Sequence, residues 1–274
     1  MIRLLFICSL FASSCTESNK KNEEVGATTI HANNTSNQAQ VAPTKPADSI
    51  MVDIQEKINQ AFVQSLMTHK NDALLTLDTQ LKELYKVKKQ GLIIYWQAYL
   101  KFYTAVFYLQ EKNKKMSEDE IVNGIYFLKN IKERNAEEYT LLAMLQGFSI
   151  QFKNREAVFI SADMAENLKH AFSLDPDNIR TCYVFANNDF YTPVKYGGGK
   201  QAEKYLLKAV SLPTQKIKNN YLPSWGKEES YELLIRIYIK KGNLESAKKY
   251  YKQGLSEFPK SYIINQLAPE LVGK

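Results

Sequence analysis

The sequence feature that most constrains the fold lies near the C-terminus, where two helical patterns flank a short turn. In the first pattern, large apolar and aromatic residues return every three or four positions, which is the spacing of one helix face; they are Tyr231, Leu234, Ile235 and Tyr238. Gly242 and Asn243 then mark a turn. The second pattern carries Ala247, Tyr251 and Gly254, and Pro259 ends it. Because alanine and glycine allow two helices to approach closely, this segment predicts a tightly packed antiparallel helical hairpin.

The spacing of this hairpin resembles the tetratricopeptide repeat (TPR), including the small residues where the helices cross and the terminal proline. Two earlier stretches resemble the repeat more loosely, and their inter-helix loops exceed what its roughly 34-residue period allows. Their matching residues are Ala171 and Pro176 in one, and Ala202, Leu206 and Ala209 in the other. The resemblance covers residues 137–259 and implies an α-α superhelix of antiparallel hairpins, a TPR-like solenoid.

The rest of the chain after residue 49 is also predicted to be helical. With 11 glycines and 8 prolines in 274 residues, the sequence lacks the many turns of an all-β fold. Apolar residues at helical spacing continue towards the N-terminus, first as Ile54, Ile58, Phe62 and Leu66, then as Leu74, Leu77, Leu81 and Leu84. We therefore predict an all-α chain with N-terminal helical hairpins at 50–136 and TPR-like repeats at 137–274. The N-terminal hairpins match no repeat motif, and their expected role is to extend and cap the stack.

One helix start is predicted from the residues Ser117-Glu118-Asp119-Glu120. They have the order of a capping box, in which Ser117 caps the helix and Glu120 bonds back to the cap. Carboxylates are also favoured in a first helical turn because of the helix dipole. We therefore interpret these acids as a structural cap and not as an acid–base site.

The first fifteen residues have the layout of a bacterial secretion signal. Met1-Ile2-Arg3 is a short positive start, residues 4–11 form an apolar run, and Ala12-Ser13-Ser14-Cys15 supplies small residues before a cysteine. The last four residues resemble the lipobox of bacterial lipoproteins, although Ala12 stands where leucine is most usual. This resemblance implies a signal peptide at 1–14 and at least a diacylglycerol on Cys15, which becomes the new N-terminus.

Residues 15–49 form the predicted linker between the lipidated cysteine and the folded part. The linker has no aromatic residue and is rich in Asn, Thr, Ser, Gln and Ala, so we expect disorder. Together with the lipobox, it predicts a protein of the cell envelope that is lipid-anchored to a bacterial membrane. The outer membrane is favoured over the inner one, and the folded part is expected to face the periplasm or the cell surface.

The TPR resemblance also implies a place for a partner, because such arrays bind proteins on the concave face lined by first helices. Transferred to this sequence, the pattern predicts a groove with the residues Tyr183, Asn187, Phe190, Glu229, Glu232, Arg236 and Ile239. The predicted function is a non-catalytic, membrane-anchored scaffold for protein–protein interaction, with a protein or peptide partner in the envelope. Asn187 could bond a peptide backbone or face water.

An alternative function follows from the net charge of +7. Lysine clusters such as Lys86-Lys88-Lys89, Lys112-Lys114-Lys115 and Lys248-Lys249 could bind an anionic envelope polymer or lipid headgroups. Lysine dominates over arginine, the residue that reads bases and phosphates with two bonds, so no nucleic-acid partner is expected.

Enzymatic sites are not predicted. Gly197-Gly198-Gly199-Lys200 lacks the spacing and the Ser or Thr of a phosphate loop, so we interpret it as a turn. His31, His69 and His170 have no histidine or cysteine at ligand spacing, so no metal or cofactor is expected. Cys182 has no evident base beside it and is interpreted as a small core residue.

Overall fold

The computed structural model describes residues 49–153, 155–213 and 220–272, and the regular secondary structure in these ranges is helical. The signal peptide, Cys15 and all but the last residue of the predicted linker lie outside them. The helices are α1 Ile54–Thr68, α2 Asp72–Lys88, α3 Gly91–Gln110, α4 Lys114–Lys129, α5 Ala136–Ser149, α6 Ala157–Leu174, α7 Ile179–Tyr191, α8 Ala202–Ser211, α9 Lys227–Lys240, α10 Leu244–Glu257, α11 Tyr262–Asn265 and α12 Ala268–Leu271. None of these helices is long and apolar enough to cross a bilayer.

The helices pack as consecutive hairpins. α1 packs on α2, α3 on α4, α5 on α6, α7 on α8, and α9 on α10, and the short connections make each pair antiparallel. The first helices also contact one another in series, from α1 through α3, α5 and α7 to α9. Each hairpin therefore covers the apolar face of its neighbour, as in a helical repeat protein. The prediction of an all-α array of stacked hairpins is confirmed.

The last hairpin shows why small residues are needed where the helices cross. Ala247 and Gly254 of α10 are buried against α9. A Cβ atom placed on Gly254 would lie 2.9 Å from Cδ1 of Ile264 and 3.2 Å from Cγ of Tyr231. Both distances are shorter than ordinary carbon–carbon contacts. The lack of a side chain at Gly254 therefore allows α9, α10 and α11 to pack this closely.

We expect the substitution Gly254→Val to lower the free energy of unfolding by about 2 kcal/mol, because the added methyl groups overpack this crossing. Urea denaturation monitored by circular dichroism measures the change. Gln253→Val is the matched control, because Gln253 is exposed on the same helix and should change stability by less than about 0.5 kcal/mol. Equal effects at the two positions would contradict the close crossing.

The helix start predicted at Ser117 is wrong. α4 begins one turn earlier, where the side chain of Asn113 accepts a hydrogen bond from the Met116 N–H at 3.1 Å. The Ser117 hydroxyl instead donates to the Ala105 carbonyl of α3 at 2.7 Å. Glu120 pairs with the buried Lys101 of α3 at 2.8 Å. These residues hold α4 onto α3 and do not cap a helix.

The glycine-rich connection between α7 and α8 is a turn with close backbone contacts. Gly197 and Gly199 have φ angles of 93° and 78°, which other residues rarely adopt. A Cβ atom on Gly198 would lie 2.0 Å from the Thr192 carbonyl oxygen. One carboxylate oxygen of Asp189 accepts the N–H groups of Gln201 and Ala202, both at 2.8 Å. These two bonds cap the start of α8, so the segment serves the junction between the two helices.

Candidate binding groove

The first helices of the hairpins surround a groove, and a segment of the chain itself crosses it. This segment, residues 220–226, leads into α9 and is called the crossing segment below. Trp96 of α3 donates its indole N–H to the Tyr221 carbonyl at 2.7 Å. The side-chain oxygen of Gln55 in α1 accepts the N–H groups of Ser224 and Trp225 at 2.8 and 3.2 Å. The crossing segment therefore joins α1 and α3 to the beginning of α9.

Trp225 is the centre of this crossing. Its side chain is almost completely buried, and its indole N–H donates to the Tyr95 hydroxyl at 2.9 Å. The ring stacks on Tyr99 of α3 with centroids 5.9 Å apart and meets Tyr183 of α7 edge-on at 6.2 Å. Trp225 therefore fills the part of the groove between α3 and α7.

A buried ion pair fixes the α7 side of the crossing. Arg180 of α7 donates through Nε and one terminal nitrogen to the two carboxylate oxygens of Glu137 in α5, both at 2.5 Å. It also donates to the Trp225 carbonyl at 3.2 Å. Gly226 has a φ of 107°, and a Cβ there would lie 3.0 Å from Cγ of Arg180. Glycine is thus required for the chain to pass over Arg180 and enter α9.

Beside Trp225 the groove keeps an open cavity of about 270 Å³, called the groove cavity below. Its wall combines residues of α1, α3, α7 and α9 with Trp225; they include Gln55, Asn59, Tyr99, Tyr103, Glu228 and Glu229. This volume lies just below the roughly 300–1,000 Å³ typical of small-molecule pockets. The cavity therefore has room for about one large side chain or a ligand of similar size.

Glu229 is the most perturbed acid of the groove cavity. One oxygen accepts the Gly226 N–H at 2.6 Å. Burial raises its pKa to about 7, and the neighbouring carboxylates Glu228 and Glu232 contribute to the rise. The crowding extends to α3, because burial first and the Glu229 charge in addition raise the pKa of Tyr103 to about 12. Glu229 is thus a carboxylate placed where its charge is poorly solvated.

This environment gives a pH-dependent prediction for Glu229→Gln. The pKa of Glu229 is about 7 in the folded protein and 4.5 in the unfolded chain. The fold therefore favours the protonated carboxyl, and its contribution to stability is fully present below pH 4.5 and is lost as the pH rises through 7. Glutamine keeps the acceptor for Gly226 without the charge. We expect the variant to be more stable than the parent by about 1–2 kcal/mol at pH 8 and equal to it near pH 4.

Urea titrations of both proteins at the two pH values measure this difference, because contributions of other groups cancel in the comparison. Glu245→Gln is the matched control, since Glu245 also lies in a first helical turn but is exposed. A stability difference for Glu229→Gln that does not change with pH would contradict the raised pKa.

A second part of the groove extends along α7 and α9. Glu232 forms an ion pair with Arg236 one turn later, and Arg236 also lies 3.8 Å from Glu270. Burial raises the pKa of Glu232, and the charge of Arg236 acts in the opposite direction. Burial and the charge of Glu232 raise the pKa of Tyr191 at the end of α7. This part is polar, with its charges largely paired.

The predicted groove residues fall into two groups. Tyr183, Glu229, Glu232 and Arg236 are close enough for their charges to interact. Burial raises the pKa of Tyr183 well above its ordinary value, and both glutamates add to the rise. Arg236 forms an ion pair with Glu232. The others, Asn187, Phe190 and Ile239, lie against the packed interior. Asn187 is buried, Phe190 packs beneath the Lys240 ammonium at 5.0 Å, and Ile239 joins the apolar cluster around α9. Contact between these seven residues and a partner stays a prediction.

Sequence reasoning missed the residues contributed by α3 and the crossing segment. The long helix α3 is apolar on nearly all sides, so its periodicity did not indicate which rings face the groove. A usable signal was the spacing of Tyr99 and Tyr103, four residues apart on one face, whose hydroxyls lie 3.2 Å from each other. Trp225 follows no helical pattern, and nothing in the sequence placed it in the groove.

The other candidate residues lie elsewhere. In the lysine clusters, Lys86 pairs with Glu83 at 2.6 Å and Lys115 pairs with Asp119, so part of the positive charge is neutralised within the same helix. Cys182 is buried, and burial raises its pKa to about 11, which disfavours the thiolate. Among the described residues, no group of three or more His, Cys, Asp or Glu is arranged to hold a metal ion.

Comparison with known proteins finds similarity in structure alone. No protein family and no curated protein matches the sequence. A thermophilic TPR protein of Thermus thermophilus superposes with a TM-score of 0.51 at 17% identity, covering 80% of this chain and 99% of that one. The HusA haemophore from Porphyromonas gingivalis gives a TM-score of 0.47 at 19% identity, covering 68% and 93%. The first match shows that the fold is TPR-like.

Proposed function

We propose that this protein is a lipid-anchored, non-catalytic scaffold of the bacterial cell envelope that holds an extended segment of a protein partner in its groove. The TPR-like fold indicates a protein-interaction scaffold. The observation that carries the proposal is the groove itself, in which side chains of α1, α3, α7 and α9 converge on one cavity.

The size of the groove favours an extended partner segment. An α-helix with side chains is about 10–12 Å wide, and Trp225 already fills the space between α3 and α7. A cavity of about 270 Å³ accepts a single side chain. An extended segment can insert one side chain there while its backbone bonds to the polar part along α7 and α9.

The partner is tested with the full-length protein expressed in its host and purified from solubilised membranes. Glu228→Arg places a long cationic side chain in the groove cavity and should remove the co-purifying partner. Glu245→Arg is the matched control, because it makes the same change in the first turn of α10 on an exposed site. Equal recovery of the partner with both variants would count against the groove.

The anchor is tested separately. We expect radioactive palmitate to label the parent protein and the parent to fractionate with membranes. Cys15→Ser should abolish both, while leaving the folded helices unchanged. Labelling that persists in Cys15→Ser, or a parent protein that remains in the soluble fraction, would contradict the lipoprotein hypothesis.

A further inference from the structure

We propose that the groove cavity receives the cationic side chain of a lysine or arginine carried by the extended partner segment. The inference rests on the proposed function and adds the chemistry of the residue that the groove recognises. It is carried by the charge balance of the cavity wall, by the aromatic rings around it, and by the amide groups at its α1 side.

The wall carries two cations and two carboxylates, and among the described residues only the carboxylates lack an ion-pair partner. Two cations line the cavity, but each already has a carboxylate partner: Arg180 pairs with Glu137, and Lys227 pairs with Glu257 at 2.7 Å. The remaining charged residues are Glu228 and Glu229. Within the described ranges, no lysine, arginine or histidine forms an ion pair with either of them. A cation entering the cavity would therefore meet one or two carboxylates that form no ion pair, on a protein whose net charge is +7.

Aromatic rings form another part of the wall. Tyr99, Tyr103 and Trp225 lie around the cavity. The face of such a ring attracts an ammonium or guanidinium group, most strongly where water is excluded. The same rings pack against the methylene groups of a lysine or arginine stem. Carboxylates together with rings fit a long cationic side chain better than a short polar one.

The other classes of side chain fit less well. An acidic side chain would meet the charges of Glu228 and Glu229, and like charges at close range repel. An apolar side chain would exclude water from these carboxylates without compensating their charge, which is unfavourable. On the α1 side, the amides of Gln55 and Asn59 line the cavity and offer oxygen acceptors to an ammonium or guanidinium group.

The protonation of Glu229 makes the proposed binding depend on pH. The groups that face it are Glu228 and Glu232 on its own helix, the Gly226 N–H, and the tyrosines Tyr99, Tyr103 and Tyr183 from α3 and α7. Its pKa of about 7 means that the negative form is incompletely populated at neutral pH. A cation binds the negative form, so its affinity should rise between pH 6 and pH 8.

The test uses the purified chain with a positional-scanning library of extended octapeptides, acetylated and amidated so that only side chains carry charge. We expect selection of lysine or arginine at one position at pH 8, by at least about tenfold over glutamine or norleucine. The selection should be several-fold weaker at pH 6. It should also be lost in the double variant Glu228→Gln and Glu229→Gln, which preserves side-chain size and the Gly226 hydrogen bond.

The outcomes separate this inference from the proposed function. If the library selects a sequence without a basic position, or if the double variant keeps the basic preference, the cation inference is wrong while the groove function stands. If no peptide binds at pH 8 and low salt, both the cation inference and the groove function are wrong. A melting temperature of the double variant at or above that of the parent shows that loss of selection is not loss of fold.

Discussion

Replacing Trp225 with alanine is expected to lower the free energy of unfolding by about 3–4 kcal/mol. Trp225 is 5% exposed, stacks on Tyr99 and donates its indole N–H to Tyr95. Truncation would open a large cavity and leave the buried Tyr95 hydroxyl without its donor. The effect is that of a large core residue, because the same side chain joins α3, α7 and the start of α9.

Chemical denaturation with urea measures the change, and Tyr196→Ala serves as control. Tyr196 is an aromatic residue in another connection between helices, and it is 72% exposed. Its truncation should alter stability by less than about 0.5 kcal/mol. Trp225→Phe should fall between the two, since it keeps a ring but loses the hydrogen bond to Tyr95. A Trp225→Ala protein as stable as Tyr196→Ala would mean that the crossing segment does not pack in the groove.

The second large effect is expected from breaking the buried ion pair between Arg180 and Glu137. The Arg180 side chain is 2% exposed, so Glu137→Leu leaves an uncompensated cation in the interior. Removing one member of a buried pair costs about 3–5 kcal/mol. We expect about 3 kcal/mol here, because Arg180 keeps its bond to the Trp225 carbonyl. Urea denaturation of the single variant gives the value.

A double variant separates the charge from the packing. Adding Arg180→Met to Glu137→Leu removes the stranded cation, and we expect it to restore at least about 1 kcal/mol. Glu83→Leu, which breaks the exposed pair with Lys86, should change stability by less than about 1 kcal/mol. If the double variant is less stable than Glu137→Leu alone, Arg180 contributes through its other contacts and not through the pair.

Much of the fold could be predicted because helical spacing depends on local sequence. The patterns around Ile54, Leu74 and Tyr231 correspond to α1, α2 and α9. The small residues at Ala247 and Gly254 indicated a close crossing, and the structure has one. The Ser117 start was wrong because two cap residues lie four positions apart. Asn113 prevails, since the longer helix lets Ser117 bond to α3.

The groove could be predicted only in part, for a physical reason. The resemblance to the TPR indicated which helices come first in each hairpin, and transferring its pattern placed Tyr183 and Glu229 on those helices. The crossing segment has no periodicity, and its path depends on distant partners such as Gln55 and Tyr95. A contact between residues more than a hundred positions apart leaves no local signal in one sequence. These contacts place Ser224 and Trp225 in the wall of the groove cavity.

The most direct test of the groove as the partner site is photo-cross-linking in intact cells. A benzoylphenylalanine is placed at Tyr191, beside Glu232 and Arg236 at the polar part of the groove, or at Tyr126, which is 64% exposed on α4. We expect a discrete protein adduct from position 191 that disappears when Glu228→Arg is added, and none from position 126. Adducts from position 126 alone, or an adduct from position 191 that survives Glu228→Arg, would contradict the groove as the partner site.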